Sequence, residues 1–279
     1  MEIISANERL NADYGAKVML LGEPGIGKTT QLLSLNQERT LFLNIESGDL
    51  SVRNFKGKTL EPRDWEDCKD IAVLLGGPDP AVTVSTGSYS QEHYQRVADK
   101  YPDFAKEIQD GNLYDTLFVD SISVASRLCY KWAEQQPDAQ TKGGTINTMK
   151  VYGHLRVELV SWCTHLQHIK NKNVIFVGIL DKKKDEADRD YYEIQLDGSA
   201  RNIIPGIVDE QLCYITIPDP NQDPNQPKQM IRKFVCNRDN IWDLPAKDRS
   251  GKLELVEDAH LGNVLVKITD NKQYTNQEK

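Results

Sequence analysis

One segment near the amino end constrains this chain more than any other, because the apolar run KVMLL at 17–21 leads directly into GEPGIGKTT at 22–30. The pattern G-x-x-x-x-G-K-[ST] between a strand and a helix is typical of a phosphate-binding loop, whose backbone N–H groups surround phosphate oxygens. We therefore predict a buried strand at 17–21 and a helix over 29–35. The residues predicted to bind the nucleotide are Gly22, Glu23, Pro24, Gly25, Ile26, Gly27, Lys28, Thr29 and Thr30.

Two side chains of this loop have predicted chemical roles. Lys28 is expected to reach the β- and γ-phosphates of a nucleoside triphosphate, because its ammonium group neutralises phosphate charge. The Thr29 hydroxyl is expected to hold Mg²⁺, which prefers oxygen ligands and bridges phosphate oxygens. The loop therefore predicts binding of a nucleoside triphosphate together with Mg²⁺.

Composition limits the size of the protein and the partners it can bind. With 279 residues and 39% hydrophobic content, the chain can form one core, or one core with a small appended subdomain. We expect a single domain over 1–269 and a polar tail over 270–279. A formal net charge of −8 excludes a surface that is basic throughout, so nucleic acid would have to bind a local patch.

The apolar runs and the cysteines indicate where the protein resides. A run such as 174–180 is much shorter than the roughly 20 residues that a membrane-spanning helix needs, and the amino end lacks the layout of a signal peptide. The five cysteines are scattered without C-x-x-C spacing, which favours reduced, partly buried thiols over metal or redox chemistry. We expect a cytoplasmic protein without a membrane partner.

Two acidic residues directly follow predicted buried strands. Glu46 follows the apolar run 40–45, where it either orients or deprotonates an attacking water or is a solvated loop acid. The residues alone leave both interpretations open. Asp120 ends the apolar strand 114–120 in the layout of a Walker-B acid, which predicts that it holds Mg²⁺ together with Thr29.

The rest of the chain alternates between predicted helices and strands. The patterns predict helices over 64–75, 90–108, 123–134 and about 151–169, with apolar positions of the last one forming a single buried stripe. They predict strands at 81–84, 173–180, 211–217 and 230–236, the last two forming an antiparallel hairpin, and a strand-like segment near the carboxyl end. His154, His165 and His168 lie on or beside the helix 151–169, and we expect all three to be satisfied surface residues.

A charged segment between the strand 173–180 and the hairpin is a candidate nucleic-acid contact. Residues 181–190 carry four basic residues against five acidic ones and precede an aromatic pair. On charge alone, a loop that contacts DNA and a solvated loop are about equally favoured. The candidate DNA-binding residues here are Lys182, Lys183, Lys184, Arg189 and Tyr191.

Taken in order, five segments resemble the RecA-type branch of the phosphate-loop ATPases. More closely, they resemble the small phage and prophage RecA-like ATPases of the fourth Sak group, which accompany or act as single-strand annealing proteins. The segments are GEPGIGKTT at 22–30, LFLNIESG at 41–48, YDTLFVDSIS at 114–123, GSARNIIPGIVDE at 198–210 and AKDRSGKL at 246–253. The resemblance implies ATP as the nucleotide and a RecA-like αβα sandwich with a mostly parallel central sheet and antiparallel strands at its carboxyl-terminal end.

The resemblance also assigns roles to individual residues. It implies that Glu46 is the catalytic acid, and that Lys247 and Arg249 form a Lys-x-Arg pair reaching the nucleotide of a neighbouring subunit in a ring or filament. The loops that bind single-stranded DNA in RecA relatives correspond to 135–147, which contains Lys142, and to 181–198. One departure is that Gly178-Ile179 occupies the place of a polar Asn-Gln pair that senses the γ-phosphate, so ATP and DNA binding can be coupled differently or not at all.

Together these features predict a Mg²⁺-dependent ATPase that acts on single-stranded DNA in phage recombination or annealing, encoded by a phage and active in the bacterial cytoplasm. A helicase-like or loader ATPase is one alternative. The other is a nucleotide-dependent assembly switch that does not bind DNA, which the acidic composition favours.

Overall fold

The computed structural model describes residues 5–11, 15–85, 87–109, 114–141, 143–223, 227–270 and 274. Its central element is a β-sheet. The strands are β1 (Lys17–Gly22), β2 (Thr40–Asn44), β3 (Lys58–Leu60), β4 (Thr116–Asp120), β5 (Asn173–Lys184), β6 (Asp190–Ile194), β7 (Glu210–Pro218), β8 (Met230–Val235), β9 (Lys247–Asp248) and β10 (Val256–Asp258).

The main sheet has the strand order β10-β8-β7-β1-β5-β4-β2-β3, with β6 paired to β5 and β9 paired to β7. The strands from β7 to β3 are parallel, whereas β8, β9 and β10 are antiparallel to their neighbours. This confirms the predicted mostly parallel sheet with antiparallel strands near the carboxyl end. Because β1, β2 and β4 are parallel, their carboxyl ends lie at one edge of the sheet, where α/β folds bind ligands.

Helices cover both faces of the sheet. They are α1 (Ala6–Asn11), α2 (Trp65–Gly76), α3 (Gln91–Lys100), α4 (Pro102–Gln109), α5 (Ile122–Glu134), α6 (Thr148–Gln167), α7 (Ala200–Ile207) and α8 (Leu261–Thr269). Helices α2 to α7 pack on one face, and α8 packs on the other with a 3-10 helix, Thr29–Ser34. None of the helices in the described ranges is long and apolar enough to cross a bilayer.

The apolar stripe of α6 shows what holds the larger layer to the sheet. Leu155, Leu159 and Trp162 are fully buried, and the Trp162 ring meets Phe176 of β5 at a centroid distance of 6.4 Å. Burying each such side chain stabilises the fold by about 1.5–3 kcal/mol. The predicted helical stripe is therefore confirmed, and it lies against the strand that separates β1 from β4.

Three local predictions are wrong. The helix predicted over 90–108 breaks at Tyr101, whose φ of −129° and ψ of 63° are not helical, because a proline disfavours the helical conformation in the residue before it. The segment 81–84 is irregular and not a strand, with only Ala81 in a turn, and Val84 is 63% exposed. The segment after the phosphate loop is a 3-10 helix over Thr29–Ser34 and not a regular α-helix, and 3-10 geometry is common in such short segments.

The structure also corrects the predictions for the charged segment 181–190 and for the carboxyl-terminal segment. The segment 181–190 is not an open loop, because β5 continues to Lys184 and pairs antiparallel with β6. The strand-like carboxyl-terminal segment comprises only the short β10, which is followed by α8, whose buried Leu261, Val264 and Leu265 have helical spacing.

The histidine prediction is also corrected. His165 is buried and stacks on Tyr89 with ring centroids 4.2 Å apart. His154 has the acidic partner that the sequence did not reveal, since its Nε2 lies 2.7 Å from a carboxylate oxygen of Asp138. By contrast, all five cysteines are buried and free, as predicted for structural thiols.

Candidate nucleotide site

The loop after β1 has the backbone shape that the phosphate-binding motif requires. Gly25 has a φ of 78° and Gly27 has a φ of 103°, and residues other than glycine rarely adopt such values. Within this turn the Lys28 ammonium donates hydrogen bonds to the carbonyl oxygens of Gly22 and Glu23, each over 2.9 Å. The lysine head therefore lies inside the loop, at the position from which it can contact a phosphate.

Asp120 meets the loop from the end of β4. The Thr29 hydroxyl donates a hydrogen bond of 2.5 Å to the Asp120 carboxylate, which is only 3% exposed as a residue. Burial raises the pKa of Asp120 to about 6, against the lowering effect of the Thr29 hydrogen bond and of Lys28 and with a further rise from Glu46. A buried carboxylate of this kind gains stability when a cation binds beside it.

Glu46 lies next to Asp120 because β2 and β4 are neighbours. The backbone N–H groups of Ile45 and Glu46 both donate to the Asp120 carbonyl oxygen, over 2.7 and 3.1 Å. The Glu46 side chain is exposed to solvent, so water can reach its carboxylate. The Lys28 pKa is lowered by burial, and the negative charges of Asp120 and Glu46 oppose this shift.

These residues line one cavity of about 340 Å³, a volume within the range of small-molecule sites. Besides the loop residues Pro24, Gly25 and Gly27 to Thr30, its walls include Glu46, Gly48, Ser51, Asp120, Ile179 and Arg232. The structure thus brings together Lys28, Thr29, Glu46 and Asp120, four residues that the sequence placed in one site.

The oxygen donors of this cavity suit Mg²⁺. Thr29 and Asp120 offer a hydroxyl and a carboxylate, both hard oxygen ligands. Within the described ranges, no group of three or more His, Cys, Asp or Glu side chains could hold a metal ion. Mg²⁺ bound here would therefore take its remaining ligands from water and phosphate, the arrangement usual for this ion.

The middle of β5 contributes an apolar wall to the cavity, at the place where the resemblance to RecA proteins implies a polar sensor. Ile179 lines the cavity, and its backbone N–H donates to the Ser123 hydroxyl over 3.1 Å. Gly178 has no room for a side chain, because an added Cβ would lie 2.9 Å from a Leu21 methyl group and 3.1 Å from Ile194. Neither residue offers a side-chain hydrogen bond to phosphate, so this wall cannot sense the γ-phosphate by a side-chain amide.

Lys247 and Arg249 lie away from this cavity. Asp248, between them, pairs with Glu210 at the start of β7, and Glu210 in turn pairs with Val18 near the amino end of β1. The phosphate loop follows the opposite, carboxyl end of β1. The Lys247 ammonium donates to the carbonyl oxygens of Pro205 and Val208, over 2.7 and 2.6 Å.

Arg249 is more exposed than Lys247 and is held less firmly. One of its N–H groups donates to the Gly206 carbonyl over 3.0 Å, and its guanidinium lies 3.8 Å from Asp209. The side chain is 53% exposed. Within one copy of the chain, these two cations therefore do not contribute to the nucleotide cavity.

The candidate DNA-binding residues lie on the β5–β6 hairpin, where each cation has an acidic partner. Tyr191 of this group is 40% exposed. The ion pairs are Lys182–Asp190 at 2.7 Å, Lys183–Glu193, Lys184–Asp188 at 2.7 Å and Arg189–Asp185 at 2.8 Å. Lys142 lies outside the described residues. The hairpin is therefore not a basic surface in the absence of a partner.

Sequence reasoning missed Arg232, which contributes to the cavity from β8. Nothing local marks this residue, because it belongs to an ordinary antiparallel strand far along the chain from the phosphate loop. Only the pairing of β8 with β7, and of β7 with β1, brings it to the site.

Comparison with known proteins gives one family match. A family model described as an AAA domain, AAA_24, matches residues 14–250. None of the curated proteins compared with the chain matches it.

Several solved structures are similar in fold. The RadB recombinase is 14% identical, with 85% of this chain and 92% of that chain covered at a TM-score of 0.36. A KaiC-like protein from Pyrococcus horikoshii is 14% identical, with 81% of each chain covered at a TM-score of 0.31. The flagellar accessory protein FlaH from Methanocaldococcus jannaschii is 9% identical, with 80% of this chain and 79% of that chain covered at a TM-score of 0.33.

Proposed function

The chain belongs to the AAA-domain family, and we propose that it is a RecA-like P-loop ATPase that hydrolyses ATP with Mg²⁺ at the cavity around the phosphate loop and acts on single-stranded DNA. The proposal of hydrolysis rests on one observation: Lys28, Thr29 and Asp120 lie together at one edge of the sheet, with Glu46 beside them.

Each of these side chains has a distinct task in the proposed reaction. Lys28 leaves the loop carbonyls and neutralises charge on the β- and γ-phosphates. Thr29 and Asp120 hold Mg²⁺, which supplies further charge neutralisation when bound. Glu46 accepts a hydrogen bond from the attacking water and orients it, because its carboxylate is exposed beside the cavity.

A neighbouring copy of the chain completes the proposed site. Arg249 does not reach its own cavity, it is half exposed, and it matches the Lys-x-Arg pattern of ring-forming RecA relatives. A guanidinium supplied in trans stabilises charge on the transferring phosphoryl group and can raise the rate by about 10³- to 10⁵-fold. Lys247 serves a different purpose in this proposal, since its ammonium satisfies carbonyl groups at the end of α7 and fixes the segment that presents Arg249.

The proposed DNA contact is the β5–β6 hairpin. It starts directly after Ile179, which lines the cavity, so nucleotide binding and the hairpin share one strand. Its ion pairs are exposed, and exposed pairs contribute only about 0–1 kcal/mol each, so phosphates can replace the acidic partners at small cost. The resemblance of the five motif segments to phage annealing ATPases supports this assignment to recombination or annealing.

A nucleotide-dependent assembly switch without a DNA partner is the second candidate. The observation that favours it is the pairing of Lys182, Lys184 and Arg189 with acids on the same hairpin. A protein of net charge −8 with no unpaired basic patch on this hairpin would bind DNA weakly at physiological salt.

ATP turnover measured with and without single-stranded DNA at low salt separates the two candidates. If the hairpin contacts DNA, the wild-type protein should bind single-stranded DNA and the double variant Lys182→Glu/Lys184→Glu should not. Lys106→Glu, an exposed control on α4, should bind DNA like wild type. If wild-type protein hydrolyses ATP but neither binds DNA nor changes its rate with DNA, the assembly switch is the better account. If it neither binds nor hydrolyses ATP, the proposed enzymatic function is wrong.

A further inference from the structure

Arg232 is a second cation at the nucleotide cavity, supplied by the same copy of the chain. An added Cβ at Gly27 would lie 3.2 Å from Arg232 Nη1 and 3.7 Å from its Cζ. The guanidinium therefore lies directly against the phosphate loop, at a position where the loop has no side chain.

The strand pairing explains how β8 reaches this point. Gly22, the last residue of β1, pairs with Tyr214 of β7. β7 continues beyond that residue, and Thr216 pairs with Arg232 of β8. The β7–β8 hairpin thus extends past the end of β1 and places Arg232 over the loop.

The Arg232 guanidinium has no acidic partner among the residues that the structure describes. Over the ranges that the structure describes, no carboxylate lies within ion-pair distance of its guanidinium, whereas the adjacent Lys233 pairs with Asp258. The Arg232 side chain is exposed and lines the cavity. An unpaired guanidinium at a phosphate-binding loop is suited to bidentate hydrogen bonds with phosphate oxygens.

The position of Arg232 identifies which end of the nucleotide it faces. Asp120 ends β4 and Glu46 follows β2, both to one side of β1, whereas Arg232 lies on β8, to the other side. Thr29 and Asp120 mark the place of Mg²⁺ and therefore of the β- and γ-phosphates. A nucleotide bound in this orientation would have its sugar on the opposite side of the loop.

We propose that Arg232 binds the phosphate of the nucleotide nearest the sugar, and that it contributes to nucleotide affinity and not to the hydrolytic step. This inference rests on the proposed ATP site. It distinguishes two cations by function: Arg232 acts in cis on a phosphate that ADP and ATP share, whereas Arg249 acts in trans on the phosphoryl group that is transferred.

The test is a calorimetric titration with ADP, together with steady-state ATP hydrolysis, for wild-type protein and for Arg232→Ala, Arg232→Gln and Arg232→Lys. Because hydrogen bonds to a charged group are involved, Arg232→Ala and Arg232→Gln should each weaken ADP binding by about 10- to 100-fold and raise KM for ATP by a similar factor. Their kcat at saturating ATP should stay within about threefold of wild type. Arg232→Lys should retain part of the affinity, because it keeps the charge but loses the planar donor pair.

Two further variants show which proposal fails. Lys233→Ala alters the neighbouring cation outside the cavity and should bind ADP like wild type. Lys28→Ala should abolish ADP binding. If Lys28→Ala loses binding while the Arg232 variants keep it, or if Arg232→Ala lowers kcat at unchanged ADP affinity, this inference is wrong and the proposed site stands. If wild-type protein binds no ADP, the proposed function fails with it.

Discussion

The Thr29 hydroxyl donates a hydrogen bond to the Asp120 carboxylate across 2.5 Å of space and 91 positions of sequence. This contact joins the phosphate loop after β1 to the end of β4, although β5 lies between those strands. It sets a hydroxyl and a carboxylate oxygen side by side at the edge of the sheet, and these are the two protein ligands of the proposed Mg²⁺ site.

Replacing Asp120 by Asn should separate metal binding from nucleotide binding. The amide still accepts a hydrogen bond from Thr29, but its negative charge is lost, so we expect the half-saturating Mg²⁺ concentration to rise about tenfold and ATP turnover to fall by about 10²-fold or more. The measurement is the ATPase rate as a function of Mg²⁺ concentration. Asp103→Asn on α4 is the exposed control. An unchanged Mg²⁺ dependence in Asp120→Asn would remove Asp120 from the metal site.

The position of Arg249 makes a prediction about mixtures of inactive variants. Arg249→Ala alone should lower ATP turnover by about 10³-fold, because the cation that another copy receives is missing. Glu46→Gln should also be inactive alone, yet mixing the two variants should restore part of the rate, since some interfaces then combine an intact Glu46 with an intact Arg249. Arg238→Ala, an exposed arginine elsewhere, should keep full activity alone. If the mixture stays as inactive as its components, the site is not shared between copies.

We expect the protonation of Glu210 to make the free energy of unfolding depend on pH. The residue is only 1% exposed, and burial together with the hydrogen bond and charge of Asp248 raises the Glu210 pKa to about 7. A carboxyl group with a raised folded-state pKa stabilises the fold most below its unfolded pKa, and this contribution is lost as pH rises through the folded-state value.

The variant that tests this effect is Glu210→Gln, which resembles the protonated carboxyl. Between pH 5 and pH 8 the free energy of unfolding of wild-type protein should fall relative to that of Glu210→Gln by about 1–3 kcal/mol. Urea unfolding at both pH values measures the difference. A constant difference between the two proteins across this range would show that Glu210 does not change its protonation there.

The site residues at the carboxyl ends of buried strands can be predicted from the sequence. Glu46 and Asp120 each follow an apolar run, and parallel strands place their carboxyl ends at one edge, so adjacency in space follows from pattern alone. The break at Tyr101 was readable from Pro102, although the helical pattern on both sides concealed it. These features depend on neighbours in sequence, which is why local reasoning reaches them.

Other features depend on contacts between distant segments. Arg232 reaches Gly27 only through two successive strand pairings, and no pattern around residue 232 indicates them. The lysines and acids of the β5–β6 hairpin pair across strands and show no apolar alternation, so the sequence pattern does not distinguish this hairpin from a loop. The Tyr89 ring that stacks on His165 comes from a different segment, so the sequence around His165 does not indicate that this residue is buried.

The most direct test of the whole account is the ATP turnover of Glu46→Gln, measured beside its affinity for ADP. The substitution keeps the size of the side chain and removes the base, so we expect kcat to fall by about 10²- to 10⁴-fold while ADP affinity stays within about threefold of wild type. Glu38→Gln, an exposed control far from the cavity, should hydrolyse ATP at the wild-type rate. Turnover in Glu46→Gln equal to that of wild type and of the control would contradict the assignment of this cavity as the hydrolytic site.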